Sequence, residues 1–298
     1  MAPAVTAAEL FDPDFLESLQ RLRLIARRVP KGGRFAEQRS RALGAGIEFQ
    51  DHRPYSPGDD LRGVDWNLYR RLGKVFLRLF EEMEDLPVYL LPDVSASMWQ
   101  ESPPRARAGL RATMAFAAIA LGQMDRVGVF SFADDLSWQM RPQAGWGQLP
   151  RFAEGLSKVE AGGATDFGRS LQRFGGMPLR RGLAVIVSDF FDPGGLEAVT
   201  AAMKKVRHRL LLVQLTRPSD RDPKLQGDLR LKDCESGEVQ EVTIQPQILT
   251  RYQEAVDRFH LGLQTFARKR EAGLIRLNAD EEVVPQIAEL FENGRWEL

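Results

Sequence analysis

Residues 88–97 read Val-Tyr-Leu-Leu-Pro-Asp-Val-Ser-Ala-Ser, an apolar run followed by alternating polar side chains. A short, nearly continuous apolar run is typical of a strand that is covered on both faces of a sheet. The runs at 183–188 and 210–215 have the same character, and stretches with the pattern of helices separate the three. Because strands that alternate with helices form parallel sheets, the sequence predicts an α/β fold with a doubly wound, mostly parallel sheet.

After the third apolar run the sequence predicts further elements of the same domain. Residues 228–233 and 239–244 form two short runs around a turn at Glu235-Ser236-Gly237, which indicates a β-hairpin. A long helix is expected at 248–271, followed by a last strand and a last helix.

The region before residue 86 has a different pattern and predicts a smaller module. Residues 15–28 carry apolar side chains at helical spacing, and residues 74–81 alternate as a strand. Proline and glycine punctuate the segment between them, which we expect to be irregular. We therefore expect two domains, an N-terminal helix with irregular and β structure at 1–85 and the α/β domain at 86–298.

Composition excludes several classes of protein. The chain has 298 residues, and 41 Lys and Arg balance 41 Asp and Glu, so it lacks the basic excess of a nucleic-acid-binding domain. It has one cysteine, Cys234, and hence no internal disulfide framework. We see no secretory signal at the start and no apolar stretch that approaches the length of a membrane span. These features lead us to expect a cytoplasmic protein.

Three polar clusters fall where an α/β sheet binds ligands, outside the carboxyl ends of its strands. Asp93, Ser95 and Ser97 follow the first predicted strand, Asp189 follows the second, and Thr165 lies in a Gly-Gly-Ala-Thr-Asp loop before a helix. Carboxylate and hydroxyl oxygens suit Mg²⁺ or Mn²⁺ rather than zinc. Because Mg²⁺ usually retains water ligands, one position of such a site can accept a carboxylate from a protein partner.

The order Asp93-x-Ser95-x-Ser97, then Thr165, then Asp189 resembles the metal-ion-dependent adhesion site of von Willebrand factor A domains. The resemblance covers roughly residues 86–277 and implies a Rossmann-type A-domain fold. It also implies that the three hydroxyl side chains coordinate the metal, and that the two aspartates do so directly or through water.

A second pattern lies upstream. The segment Arg53-Pro54-Tyr55-x-x-Gly58-Asp59-Asp60-x-Arg62-x-x-Asp65-Trp66, followed by the Asp-x-Ser-x-Ser-Met motif, resembles the DUF58 family of bacterial and archaeal proteins with an A-like domain. The resemblance implies a AAA+ ATPase of the MoxR type as partner. Many family members carry two N-terminal membrane helices, which this sequence lacks. By its charges, the segment is either a binding surface or an ion-paired plug between the module and the α/β domain.

These patterns favour a non-enzymatic adaptor that binds a protein partner through the metal. The alternative is a metal-dependent hydrolase or phosphatase with Asp93 as nucleophile, but that chemistry needs a second carboxylate two residues on, where this sequence has Ser95. Phosphate-binding glycine motifs are missing from the sequence, so we expect no ATP hydrolysis by this chain. Two nearby acids have structural interpretations: Asp166 as part of the first turn of a helix, and Asp192 as a helix N-cap.

Overall fold

The computed structural model of the chain describes residues 10–28, 43–44, 48–56, 59–81 and 87–292. Contacts divide the chain into two compact units. The larger unit combines Met1–Val29 with Leu86–Glu297, and the smaller unit is Pro30–Asp85.

The described residues form helices and strands in the following order. The helices are α1 (Pro13–Arg28), α2 (Trp66–Leu72), α3 (Arg105–Gly122), α4 (Leu149–Ser157), α5 (Phe167–Gly175), α6 (Gly195–Lys204), α7 (Pro218–Arg221), α8 (Pro246–Arg270) and α9 (Val283–Glu292). The strands are β1 (Leu43–Gly44), β2 (Glu48–Pro54), β3 (Phe76–Glu81), β4 (Val88–Pro92), β5 (Arg126–Phe132), β6 (Leu136–Ala144), β7 (Leu183–Ser188), β8 (Arg209–Thr216), β9 (Gly227–Lys232), β10 (Val239–Ile244) and β11 (Gly273–Asn278).

A six-stranded sheet with the order β11-β8-β7-β4-β5-β6 forms the centre of the larger unit. Every neighbouring pair is parallel except β5 and β6, which run antiparallel at one edge. Each residue of β4 and of β7 is buried, as expected for strands that carry helices on both faces. The predicted mixed α/β fold with a mostly parallel sheet is therefore confirmed. The edge strand β6 spans nine residues.

Helix α1 differs from its expected grouping with the N-terminal module. Its apolar stripe, which includes Phe15, Leu19 and Leu22, is buried, and the helix packs against α3 and α9 of the larger unit. Arg111 of α3 also donates from Nε to the carbonyl of Leu10, at 2.9 Å. The boundary expected near Leu86 coincides with a division of the chain, but the helix before it belongs with the α/β unit because its stripe is buried there.

The smaller unit contains an antiparallel sheet with the order β1-β3-β2. We expected β3 but not β2, because the residues of β2 are mostly polar and a register shift between Phe49 and Asp51 interrupts the pairing. The short helix α2 begins after Asp65, whose Oδ1 accepts hydrogen bonds from two backbone N–H groups of the first turn, each at 3.0 Å.

The carboxyl-terminal part follows the prediction closely. Strands β9 and β10 pair antiparallel around the predicted turn, α8 is the predicted long helix, and β11 extends the main sheet beside β8. In the part of the chain that the structure describes, none of the helices combines the length and the apolar surface needed to cross a bilayer.

The helix after Asp192 begins later than predicted. Helix α6 starts at Gly195, and the carboxylate of Asp192 accepts hydrogen bonds from the backbone N–H groups of Gly194 (2.7 Å) and Phe167 (3.0 Å). Asp192 therefore joins the start of α5 to the turn before α6 and does not cap α6. Asp166 is the N-cap of α5, where it accepts from the backbone N–H of Arg169 at 2.8 Å.

Candidate functional site

The candidate site lies at the carboxyl ends of β4 and β7, which are neighbours in the main sheet. The chain leaves β4 toward β5 on one side and later returns to β7 on the other. The loops that follow β4 and β7 consequently diverge and leave a crevice between them, which is where open α/β sheets bind ligands.

Backbone hydrogen bonds fix the loop after β4 in this crevice. Asp93 donates from its N–H to the carbonyl of Val187 in β7 (2.8 Å), and Val94 donates to the carbonyl of Phe132 in β5 (2.9 Å). The Asp93 carboxylate is buried and accepts from the backbone N–H of Ser95 at 2.9 Å. The hydroxyl oxygens of Ser95 and Ser97 lie 3.1 Å apart. The alternating Asp-x-Ser-x-Ser side chains are thus gathered on one side of the loop.

Ser188, the last residue of β7, holds the Asp93 carboxylate and the turn that follows Asp189. Its hydroxyl donates to Asp93 Oδ2 at 2.6 Å and accepts from the backbone N–H of Phe190 at 2.8 Å. Phe190 is buried and has a φ of 66°, a conformation that is rare for a bulky side chain. By its sequence pattern, Ser188 is only the last residue of a predicted strand. Its position directly before Asp189 was the available signal for a role in the site.

The loop that carries Thr165 is joined to the Asp93 loop through its glycines. Gly162 donates from its N–H to the carbonyl of Val94 (2.7 Å), and the carbonyl of Gly163 accepts from Ala96 N–H (2.9 Å). A Cβ atom at Gly162 would lie 2.4 Å from the Cβ of Ala133, closer than two carbon atoms approach. The close backbone approach that the Gly-Gly pair predicts is therefore present, and it brings Thr165 to the crevice.

We expect Gly162→Ala to displace the Thr165 loop. The added methyl group must move Ala133 or the loop, and overpacking of this kind costs typically about 1–3 kcal/mol. The free energy of unfolding, measured by urea denaturation, should fall by that amount. Gly147→Ala is a suitable control because the same Cβ has no neighbour within 4 Å there. Equal stability of the two variants would contradict the proposed close packing.

Asp189, the acid after β7, is held by an arginine from α3. Arg105 donates from one terminal nitrogen to Asp189 Oδ2 at 3.2 Å, and the other oxygen of Asp189 accepts from the backbone N–H of Phe191 at 3.0 Å. Arg105 is itself buried and also contacts Asp220 (2.5 Å) and Glu101 (3.2 Å). Sequence analysis missed Arg105 because it lies 84 residues from Asp189 and follows two prolines outside any motif.

The two aspartates of the site are unusually basic carboxylates. Burial raises the pKa of Asp93 to about 6 against the hydrogen bonds from Ser188 and Ser95, and the negative charge of Glu235 adds to the rise. Burial and the charge of Asp93 raise the pKa of Asp189 to about 7, although Arg105 opposes the shift. Both shifts mean that burial disfavours the charged form of these carboxylates, which a nearby cation would favour.

Thr165 has a carboxylate partner that the sequence pattern did not indicate. Glu235, in the turn of the β9–β10 hairpin, accepts a hydrogen bond from the Thr165 hydroxyl at Oε1 (2.8 Å) and one from the Thr165 backbone N–H at Oε2 (2.9 Å). The two residues are 70 positions apart. The structure therefore brings all five predicted residues to one crevice and adds Ser188, Arg105 and Glu235 to them.

The donor atoms fit a hard divalent cation. Two ligands at right angles and 2.0–2.1 Å from Mg²⁺ are about 2.9 Å apart, and the Ser95 and Ser97 hydroxyl oxygens are 3.1 Å apart. The described residues contain no cluster of three or more His, Cys, Asp or Glu side chains arranged to hold a metal. Any metal in this crevice would therefore depend on the serine and threonine hydroxyls as well as on the aspartates.

The upstream Arg53–Trp66 segment forms ion pairs inside the smaller unit. Arg53 contacts Asp59 at 2.8 Å, and His52 contacts Asp65 at 3.0 Å. The Arg53–Asp59 pair joins opposite charges within the segment, whereas the His52–Asp65 contact is an ion pair only when the histidine is protonated. Trp66 is 56% exposed in the described part of the chain, so its ring remains available for the alternative interpretation, a binding surface.

Comparison with known proteins gives a family and several relatives of unassigned function. A family model described as "Protein of unknown function DUF58" matches residues 51–260. The uncharacterised protein Rv1480 of Mycobacterium tuberculosis H37Rv is 26% identical, with 98% of this chain and 94% of that protein covered. The uncharacterised protein MAV169 of Mycobacterium avium is 28% identical, over 39% of this chain and 68% of that protein.

Two of the solved structures that match part of this chain come from Bacteroides species. The conserved hypothetical protein BatB of Bacteroides thetaiotaomicron is 14% identical, with a TM-score of 0.41, 70% of this chain covered and 98% of that chain. An aerotolerance-related membrane protein of Bacteroides fragilis is 16% identical, with a TM-score of 0.40 and coverage of 70% and 99%.

Proposed function

This chain belongs to the DUF58 family, and we propose that it is a non-enzymatic adaptor that binds a protein partner through a divalent cation. In this proposal the larger unit is a von Willebrand factor A-like domain, and Asp93, Ser95, Ser97, Thr165 and Asp189 form its metal-ion-dependent adhesion site. The cation is Mg²⁺ or Mn²⁺.

The observation that carries the proposal is the convergence of two buried carboxylates and three hydroxyls in one crevice. Asp93 and Asp189 are 2% and 8% exposed, and burial of two like charges is unfavourable unless a counter-charge accompanies them. Arg105 faces Asp189, while the contacts of Asp93 are with neutral donors, Ser188 and Ser95. A cation between the loops would supply the missing positive charge.

The residues of the crevice have distinct tasks in this mechanism. Ser95, Ser97 and Thr165 present neutral oxygens, and Asp93 and Asp189 supply negative charge from positions fixed by Ser188 and Arg105. A bound cation supplies a Lewis-acidic position for an external carboxylate. Because the hydroxyl ligands add no negative charge, the cation would attract an Asp or Glu side chain of the partner more strongly than it would in a site made only of carboxylates.

We propose a AAA+ ATPase of the MoxR type as the partner. The reason is the resemblance of the Arg53–Trp66 segment and the Asp-x-Ser-x-Ser motif to the DUF58 family. The sequence has no Walker-type Gly-x-x-x-x-Gly-Lys-Ser/Thr motif. ATP hydrolysis in such an assembly is therefore assigned to the partner, and the chain would act in the maturation or remodelling of a protein complex.

The surroundings of Asp93 support a ligand role over the alternative, a hydrolytic nucleophile. Both of its carboxylate oxygens accept hydrogen bonds in the buried loop, from Ser95 and Ser188. The residue two positions on is Ser95 and carries no carboxylate for acid–base chemistry. A bound cation needs only the remaining lone pairs of Asp93, whereas a nucleophile needs an exposed oxygen.

Calorimetric titration of Mg²⁺ and of Mn²⁺ into metal-stripped protein tests the proposal. We expect one cation per chain, and tighter binding when the purified MoxR-type ATPase is present, because the partner's carboxylate would complete the coordination. No uptake of either cation, with and without the ATPase, would contradict the adaptor mechanism.

A further inference from the structure

The β9–β10 hairpin reaches the candidate site with a carboxylate of its own. Both oxygens of Glu235 accept hydrogen bonds from Thr165, one from the hydroxyl and one from the backbone N–H. Thr165 is one of the hydroxyl residues of the candidate site and is 5% exposed. The Glu235 carboxylate, from a distant part of the chain, therefore lies at the edge of the candidate site.

The turn of the hairpin is ordered so that it presents Glu235. Asp233 Oδ1 accepts hydrogen bonds from the backbone N–H groups of Glu235 (2.8 Å) and Ser236 (2.6 Å). Gly237 has a φ of 74°, which allows the chain to turn back and to donate from its N–H to the carbonyl of Asp233 at 3.0 Å. These contacts fix the direction of the turn without any contribution from an apolar core.

The strands of the hairpin are weakly anchored. None of the residues in β9 or β10 is buried, so little apolar surface would be exposed if the hairpin moved. A local displacement of such an element costs far less than unfolding of the unit. The contact between Glu235 and Thr165 can therefore form and break while the main sheet stays intact.

The distances suit a shared cation. Glu235 Oε1 and Thr165 Oγ1 lie 2.8 Å apart, close to the separation of about 2.9 Å between neighbouring ligands of an octahedral Mg²⁺. The Thr165 hydroxyl keeps a free lone pair after it donates its hydrogen to Glu235. One oxygen of Glu235 is thus placed where it can become a ligand beside Thr165.

We propose that Glu235 is an internal ligand of the site, which occupies the position of the partner's acidic side chain until the partner displaces the hairpin. The inference rests on the proposed function, because it requires a cation at Asp93, Ser95, Ser97, Thr165 and Asp189. Glu235 of the β9–β10 hairpin would compete with the partner's acidic side chain for one coordination position of the cation. The partner would need a higher affinity or a higher local concentration to replace it.

Glu235→Gln in the full chain tests this role, with Glu238→Gln as the matched control in the same turn. Water-proton relaxation of bound Mn²⁺ reports how many water molecules coordinate the ion. We expect Glu235→Gln to bind Mn²⁺ about 10- to 100-fold more weakly, since the loss of even an outer contact has a cost of that size at metal sites, and to carry about one additional water. Acetate should then remove that water in Glu235→Gln but not in the wild type, and neutral acetamide should have no effect.

The outcomes separate this inference from the proposed function. Mn²⁺ binding that depends on Asp93, with Glu235→Gln indistinguishable from Glu238→Gln in affinity, water count and acetate response, overturns the internal ligand alone. A wild-type chain that takes up no Mn²⁺ overturns the metal site and the internal ligand together.

Discussion

Replacement of Asp93 by alanine is expected to lower the affinity for Mg²⁺ and Mn²⁺ by at least about 100-fold, since loss of outer contacts alone costs about 10- to 100-fold at metal sites. Asp93 supplies a buried negative charge at the centre of the crevice, whereas Ser95, Ser97 and Thr165 supply only neutral oxygens. Calorimetric titration of the metal-stripped variant measures the loss. Partner binding should fall in parallel, because the partner's carboxylate is attracted by the cation.

The fold should tolerate the Asp93→Ala substitution. The variant loses the hydrogen bonds from Ser188 and Ser95, which lowers its stability. It also removes a buried carboxyl group whose charged form is unfavourable, because burial raises the pKa of Asp93 to about 6. These two effects on stability oppose each other. Asp134→Ala is the matched control, because Asp134 is an exposed aspartate after β5, at the same edge of the sheet. Unchanged affinity for the partner in Asp93→Ala, or equal loss in Asp134→Ala, would contradict the metal bridge.

The sequence predicted the main sheet well because its strands are buried on both faces. A strand that is buried on both faces needs apolar side chains throughout, as in Val88–Leu91 and Leu183–Ser188. Glycine and proline residues bound these runs, so their extent can be predicted from the sequence. The residues of β2 in the smaller unit are mostly polar, so the sequence did not predict this strand. The grouping of α1 was missed for a related reason: an apolar stripe predicts that a helix is covered, but not by which unit.

The clustering of the candidate residues was predictable where they directly follow a strand. Asp93 and Asp189 are placed by the register of β4 and β7, and the Gly-Gly pair before Thr165 signals a close backbone approach. Glu235 had no comparable signal, because a polar residue in a hairpin turn is expected on any exposed turn. Its contact with Thr165 depends on how the hairpin lies against the crevice, which is a property of tertiary structure.

Arg105 connects the site to a wider set of charges in the larger unit. It contacts Asp189 in the crevice and Asp220 at α7, and it shares Glu101 with Arg217, whose terminal nitrogen lies 3.2 Å from that carboxylate. Arg217 also contacts Asp280, between β11 and α9. These ion pairs extend from Asp189 in the crevice to Asp280, which precedes α9.

Replacement of Arg105 by methionine is accordingly expected to destabilise the chain by about 3–5 kcal/mol, the usual cost of removing one partner of a buried ion pair. The side chain of Arg105 is 6% exposed, and its loss leaves Asp189 with a buried charge and a single backbone donor, Phe191. Urea denaturation measures the change in the free energy of unfolding.

The source of this cost can be assigned with a second substitution. In the Arg105→Met background, Asp189→Asn removes the unpaired charge and should recover part of the lost stability, while in the wild type it should cost stability because Arg105 then loses a partner. Arg107→Met is the matched control, from the same turn of α3 but less buried than Arg105. Two results would show that Arg105 does not hold Asp189 through its charge: equal stability of Arg105→Met and Arg107→Met, or no recovery of stability with Asp189→Asn. In either case the position of Asp189 would depend on the turn at Phe190 and Phe191.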